Sequence, residues 1–173
     1  MIRQASESDL DFIEEGYQEH FLYEKEHGAY TVFKEGIYPT RKDAEEALKQ
    51  GSLFVCEENG AICGSIIIDR KQPDEYRKID WPGRTADDKV IVIHLLMVRP
   101  CMAGKGIGSS LVSYALETAG LRSCEAVRLD TGAQNTPAAS LYRKLGFRLA
   151  GNASMKVGGE ISHNGHLFFE KIL

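Results

Sequence analysis

The sequence predicts an α/β domain in which a mixed sheet is covered by helices on both faces. Three observations predict it. Short strand-like runs alternate with segments of helical period. One run, Val90 to Val98, is almost unbroken in apolar residues, as in a strand buried on both faces. A glycine-rich turn leads from that run into a helix.

Ile2 to Ala5 reads as a short strand. Ser6 and Ser8, each followed by an acidic residue, offer N-caps for a helix running to about Glu26. Thr40 with Asp43 has the form of a capping box, and Ala44, Ala47 and Leu48 give the next helix one apolar face before Gly51 ends it. Ser52 to Cys56 and Ala61 to Ile68 are strands joined by Glu58-Asn59-Gly60, a strong hairpin signal. Arg70 to Lys89 is a polar loop with two prolines and Trp81, long enough to suggest a functional lid.

After Val90 to Val98 and the glycine turn, a helix is expected from about Gly106 to Ala119, with Leu111, Ala115 and Leu116 at helical spacing. Glu125 to Thr131 is a strand and Pro137 to Leu145 a helix. Phe147 to Ala150 and His166 to Ile172 then close the sheet. The order is β, α, α, mixed strands, then β-α-β-α-β-β.

No repeat or Pro/Gly/Ser linker interrupts residues 1–173, so one domain is expected. With 43% hydrophobic and 27% charged residues the composition is globular. A net charge of −4 leaves no basic footprint for nucleic acid or an anionic membrane. Val90 to Val98 is too short to cross a bilayer. Met1-Ile2-Arg3-Gln4 runs straight into polar residues, unlike a signal peptide. The four cysteines form no C-x-x-C pair and lack a nearby His at zinc spacing, so no metal is expected. Three of them lie in apolar runs, and a reducing cytoplasm is the expected compartment.

The turn Ala103-Gly104-Lys105-Gly106-Ile107-Gly108-Ser109 joins a buried strand to a helix start. Its glycines allow positive φ and close approach of a ligand to the backbone. Unpaired N–H groups of the first helical turn and the helix dipole favour a phosphate there. Three phosphate motifs compete, beside the reading of a tight turn with no ligand. A Walker A loop requires Ser or Thr after Gly-Lys, where this chain has Gly106. A dinucleotide fingerprint finds Ser109 in place of its third glycine, with Asp130 at the distance of a ribose-binding acid. The third motif fits best.

Val98-Arg99-Pro100 through Gly108 resembles the cofactor loop of the GNAT N-acetyltransferase superfamily, [Q/R]-x-x-G-x-[G/A] after a strand ending in Val-x-Pro. Gly106 and Gly108 fill its glycine positions. Ala103 stands where the family usually has Gln or Arg, a departure that touches only side-chain binding of pyrophosphate. Asn135-x-x-Ala138-x-x-x-Tyr142-x-x-x-Gly146-Phe147 matches the family's second pattern at every anchor. Taken singly, Asn135 reads as a turn former, Tyr142 as a half-buried helical aromatic and Gly146 as a C-cap.

The resemblance implies a mixed, mostly antiparallel sheet and acetyl-CoA as co-substrate, with no metal. It implies a notch between the strands ending at Val98 and Thr131, where Met97 and Val98 act through their backbones. Ala103, Gly104, Lys105, Gly106, Gly108 and Ser109 would hold the phosphates, with Asn135 and Tyr142 beside the cofactor. Tyr142 matches the acid that protonates the CoA sulfur. His94, four residues before Val98 and so expected on the same face, resembles a strand histidine serving as base; its other reading is a hydrogen-bonded core residue. The acceptor, a small-molecule or peptide amine, would lie among Phe21, Tyr23, Tyr30, Phe33, Tyr38, Asp80, Trp81 and Asp87-Asp88; the other reading makes these core aromatics and a solvated acidic edge. The alternative to an enzyme is an acyl-CoA sensor of the same fold. A homodimer is common in such folds.

Overall fold

The computed structural model describes residues 1–173. The strands are β1 (Ile2–Gln4), β2 (Leu53–Glu58), β3 (Ala61–Asp69), β4 (Val90–Val98), β5 (Ala126–Gly132), β6 (Arg148–Val157) and β7 (Ile161–Ile172). The helices are α1 (Leu10–His27), α2 (Arg41–Lys49), α3 (Ile107–Leu121) and α4 (Thr136–Lys144). All seven strands lie in one sheet, in the order β1-β2-β3-β4-β5-β7-β6. Every neighbouring pair is antiparallel except β4 with β5.

Local chemistry sets the helix starts. The Ser6 N–H donates to the Asp9 carboxylate at 2.8 Å, and Arg3 holds the same carboxylate at 2.7 Å. A 3₁₀ turn, Glu7–Asp9, therefore precedes α1. The Thr40 N–H donates to Asp43 at 2.6 Å, which starts α2 as the capping box requires. Between β2 and β3, Asn59 and Gly60 take φ of 52° and 78°, the left-handed pair of a type I′ hairpin turn.

Helices cover both faces. On one, α1 and α2 pack Ile13, Tyr17, Ala44 and Ala47 against Leu53, Val55, Ile67 and Met97. On the other, Leu111, Val112 and Ala115 of α3 and Ala139 of α4 pack against Ile66, Ile68, Ile91, Val127 and Leu129.

Two expectations change. The last two strands are much longer than Phe147 to Ala150 and His166 to Ile172. They form a hairpin turning through Gly158 and Gly159, with φ of 61° and 72°. β6 is an edge strand with register slips at Leu149/Gly151 and Ala153/Met155. The slips break the period-two pattern that would have announced it.

The segment Arg70 to Lys89 is a strap bound to the sheet, not a lid. Tyr76 and Trp81 are buried against Val90, Val92 and Phe168 on sheet surface that no helix covers. The Trp81 indole N–H donates to the Tyr76 carbonyl at 2.8 Å. The Arg128 guanidinium lies 4.4 Å from the Trp81 ring centroid and donates to Glu170 at 2.9 Å and to Gln72 at 2.7 Å. Glu170 also accepts the Gly83 N–H at 2.7 Å. The aromatic residues and this buried ion pair tie the strap down.

Replacing Arg128 with Ala strands the Glu170 carboxylate in the interior. The expected cost is about 3–5 kcal/mol, measured by urea unfolding. A double variant, Arg128→Met with Glu170→Leu, should recover part of that loss because no unpaired charge remains.

Candidate functional site

The site begins where the sheet stops being continuous. β4 and β5 pair only over Val90–Val92 with Ala126–Arg128. Beyond these residues β4 stays paired to β3 and β5 to β7, so the strands splay and their facing edges lose a ladder partner. The unpaired N–H and C=O groups in the notch need another partner.

A bulge shapes the β4 side. Ile67 pairs with His94 and Ser65 with Met97, so two steps on β3 match three on β4, and Leu95 takes φ of 39°. The extra residue reverses the side-chain alternation. His94, before the bulge, shares the α1/α2 face with Ile67, whereas Val98, beyond it, lies opposite Gly64 on the α3 face. The expected common face for His94 and Val98 does not form. At Gly64 a Cβ would lie 2.7 Å from the Met97 carbonyl oxygen and 3.3 Å from Ile107 and Leu111. Only glycine lets α3 come this close to the notch.

Next to the notch, a 3₁₀ turn (Pro100–Met102) leads into the glycine turn. Gly104 and Gly106 take left-handed φ of 76° and 81°, with Gly106 as the N-cap of α3. Gly108 is helical instead. A Cβ there would stand 3.3 Å from a Leu141 methyl, so its role is close contact between α3 and α4. The first-turn N–H groups of α3 have no acceptor within the helix.

A cleft of about 1010 Å³ joins the glycine turn, the notch and the loop after α1. Met97, Val98 and His94 line it from β4. Ala103, Gly104, Gly106, Gly108 and Ser109 line the glycine-turn end, and Asn135 and Tyr142 line it from α4. Lys105 is outside the lining, with its Nζ 3.5 Å from the Met102 sulfur. Asn135 caps α4 by accepting the Ala138 N–H at 3.3 Å. The Tyr142 ring lies 5.9 Å from both Phe147 and Phe169. Burial, reinforced by the Asp130 charge, pushes its phenol pKa up and keeps it protonated.

His94 Nε2 is 3.0 Å from Asp69 Oδ1. Burial pushes the Asp69 carboxyl up, but the His94 contact and the Lys71 N–H outweigh it and hold the pKa below the ordinary value. Tyr23, Tyr30, Phe33 and Tyr38 form the far wall of the cleft. Glu24 secures that wall by accepting the N–H groups of Tyr30 at 2.7 Å and Thr31 at 2.9 Å, with His20 at 2.7 Å. Phe21 belongs to the core under α1 and Trp81 to the strap. Asp80, Asp87 and Asp88 are exposed and lie outside the lining, so no acidic wall forms from them.

Two cleft residues escaped the sequence reading. Asp130, weighed there only as a ribose-binding acid, accepts the Tyr76 hydroxyl at 2.8 Å and lies 3.7 Å from His166 Nε2. His166 Nδ1 is 2.9 Å from His163 Nδ1. Period two from Arg128 could have found the face of Asp130. No local signal marks His166, because its neighbours come from β5 and the strap.

The acetyltransferase (GNAT) family model matches residues 10–147. An uncharacterized N-acetyltransferase of Methanocaldococcus jannaschii is 32% identical over 153 residues, covering 84% of this chain and 59% of that relative's length. The fold resembles that of a GNAT-family acetyltransferase from Streptococcus agalactiae, with a TM-score of 0.81 at 20% identity over 100% of this chain and 95% of that one. A Salmonella typhimurium protein solved with its cofactor acetyl-CoA gives a TM-score of 0.70 at 21% identity, over 100% of this chain and 93% of that one.

Burial, with His163 adding to it, lowers the His166 pKa to about 4. The unfolded chain takes up this proton near pH 6.5, roughly the free imidazole value. Stability should therefore fall as pH drops from about 6.5 to about 4, by up to about 3 kcal/mol, and this contribution should level off below that window. Urea midpoints across the range check it, and His166→Gln should flatten the slope.

Proposed function

Because the chain belongs to the acetyltransferase (GNAT) family, we propose that it moves the acetyl group of acetyl-CoA onto a primary amine, on a small molecule or a peptide, by direct attack. One observation carries this reading: a splayed β4–β5 notch opens beside a glycine turn that ends in a helix N-terminus. The main-chain N–H groups from Gly104 to Ser109 suit a pyrophosphate, whereas that of Ala103 already donates to the Pro100 carbonyl at 3.1 Å, and Lys105 adds charge from the solvent side. The backbone edges of Met97 and Val98 suit the amides of the pantetheine arm. An N–H of the same edge suits the thioester oxyanion.

Acetyl transfer needs an uncharged amine, a polarised carbonyl and a proton for the departing thiolate. Tyr142 is the proton donor to sulfur, a role its buried, protonated phenol supports. His94, oriented by Asp69, takes the amine proton and passes it outward. Asn135 acts indirectly by capping the helix that carries Tyr142. A sensor without turnover would need neither the hydroxyl nor the imidazole at this place. In this reading residues 1–173 form one domain, and the protein works in the reducing cytoplasm.

Thermal-shift measurements with acetyl-CoA, NAD and ATP test the reading. Stabilisation by acetyl-CoA alone is expected, and stabilisation by either nucleotide without acetyl-CoA would overturn it. A screen of amines with acetyl-CoA, read as free thiol, then measures turnover.

Tyr142→Phe should keep acetyl-CoA affinity and lower kcat by roughly ten- to a thousandfold, the range for one general acid. Equal turnover with chemistry rate-limiting would reduce Tyr142 to a packing residue. His94→Ala should slow transfer most below the pKa of the amine, where deprotonation is limiting. An unaltered pH profile in the folded variant would remove His94 from the mechanism.

A further inference from the structure

We propose that Asp130 selects a cationic acceptor, its carboxylate receiving the substrate ammonium on the side of the notch away from the glycine turn. This deepens the acetyl-transfer reading and rests on it. The observation behind it is a carboxylate with no close cation. Other largely buried carboxylates each have a basic side chain within hydrogen-bonding distance: Asp9 has Arg3 at 2.7 Å, Glu170 has Arg128 at 2.9 Å, Glu24 has His20 at 2.7 Å and Asp69 has His94 at 3.0 Å.

Asp130 makes no ion pair with Lys or Arg. Its partner is the Tyr76 hydroxyl at 2.8 Å, and its nearest basic group, His166, is 3.7 Å away and held neutral to about pH 4. The Asp130 side chain is 16% exposed and lines the cleft. It pairs with Phe168, which puts it on the strap face, the face that His94 shares by alternation from Val90 and Val92. A carboxylate buried without a cation is costly, and burial raises its pKa accordingly. An ammonium entering the cleft offsets that cost, and the nearby rings of Tyr38 and Tyr142 favour a cation over a neutral group.

The step balances with Asp130 as anchor only. One ammonium proton leaves through His94 to solvent, and the neutral nitrogen attacks the acetyl carbon. The C–N bond forms and the C–S bond breaks. Tyr142 gives its proton to sulfur and regains one from the nitrogen. The products are the amide, the CoA thiol and one released proton.

The test is calorimetric titration with three matched pairs of probes: benzylamine against benzyl alcohol, tyramine against tyrosol, and putrescine against butanediol. Wild type should prefer at least one ammonium probe by about ten- to a hundredfold, the range for a charge-assisted contact. Asp130→Asn, which still accepts from Tyr76, should erase that preference while leaving acetyl-CoA affinity unchanged. If the Asn variant does not fold, Asp130→Ser replaces it. No ammonium preference in wild type, or an equal preference in the variant, overturns the proposal. Ammonium preference without thiol release from acetyl-CoA supports Asp130 as the cation site and counts against acetyl transfer alone.

Discussion

Between β4 and β5 the parallel ladder lasts for three residue pairs and then stops. Each peptide group freed there has lost a hydrogen-bond partner, and a folded chain tolerates that in its interior only where another partner can enter. The split is confined because the outer edges of the same strands stay fully engaged, β4 with β3 and β5 with β7. A stiff sheet with one local opening is the frame on which the rest of the site depends. The bulge at Leu95 and the absent side chain at Gly64 keep it in shape, one by turning β4 and the other by admitting α3.

Several polar pins hold the surroundings of the opening. Arg99, which follows β4 directly, donates to Glu19 and also pairs with Glu15 at 2.9 Å, tying α1 to the start of the glycine turn. His20 and Glu24 fix the loop that supplies Tyr30 and Phe33. Arg128, Glu170 and Trp81 hold the strap that places Tyr76 over Asp130. The buried pairs among them, Arg128 with Glu170 and His20 with Glu24, add little net stability, because desolvation offsets most of their attraction. Their effect is positional: they hold cleft walls from separate parts of the chain in one arrangement, as a preorganised site requires.

The cleft is chemically divided. Toward the glycine turn it offers backbone N–H groups and a helix N-terminus, which suit anions. Toward the loop after α1 it offers aromatic faces, His94 and the Asp130 carboxylate, which suit an amine or its cation. Tyr142 lines the same cleft from α4. The division follows from strand polarity, since β4 and β5 run parallel and both direct their carboxyl ends into the opening.

The amino-acid sequence by itself determined the order of elements, the caps at Ser6 and Thr40, the Asn59-Gly60 hairpin, the glycine turn and the pattern from Asn135 to Phe147. These depend on neighbours within a few residues, where capping, turn chemistry and hydrophobic period act directly. It also identified nine of the cofactor-loop, notch and α4 residues that line the cleft, Met97 and Tyr142 among them. Tertiary structure decided the rest. The separation of His94 and Val98 onto opposite faces depends on a bulge defined only by pairing with β3. The strap depends on Arg128 and Glu170 meeting across β5 and β7. The surroundings of Asp130, the Tyr76 hydroxyl and the His166 imidazole, come from the strap and β7, which no local stretch of sequence brings together.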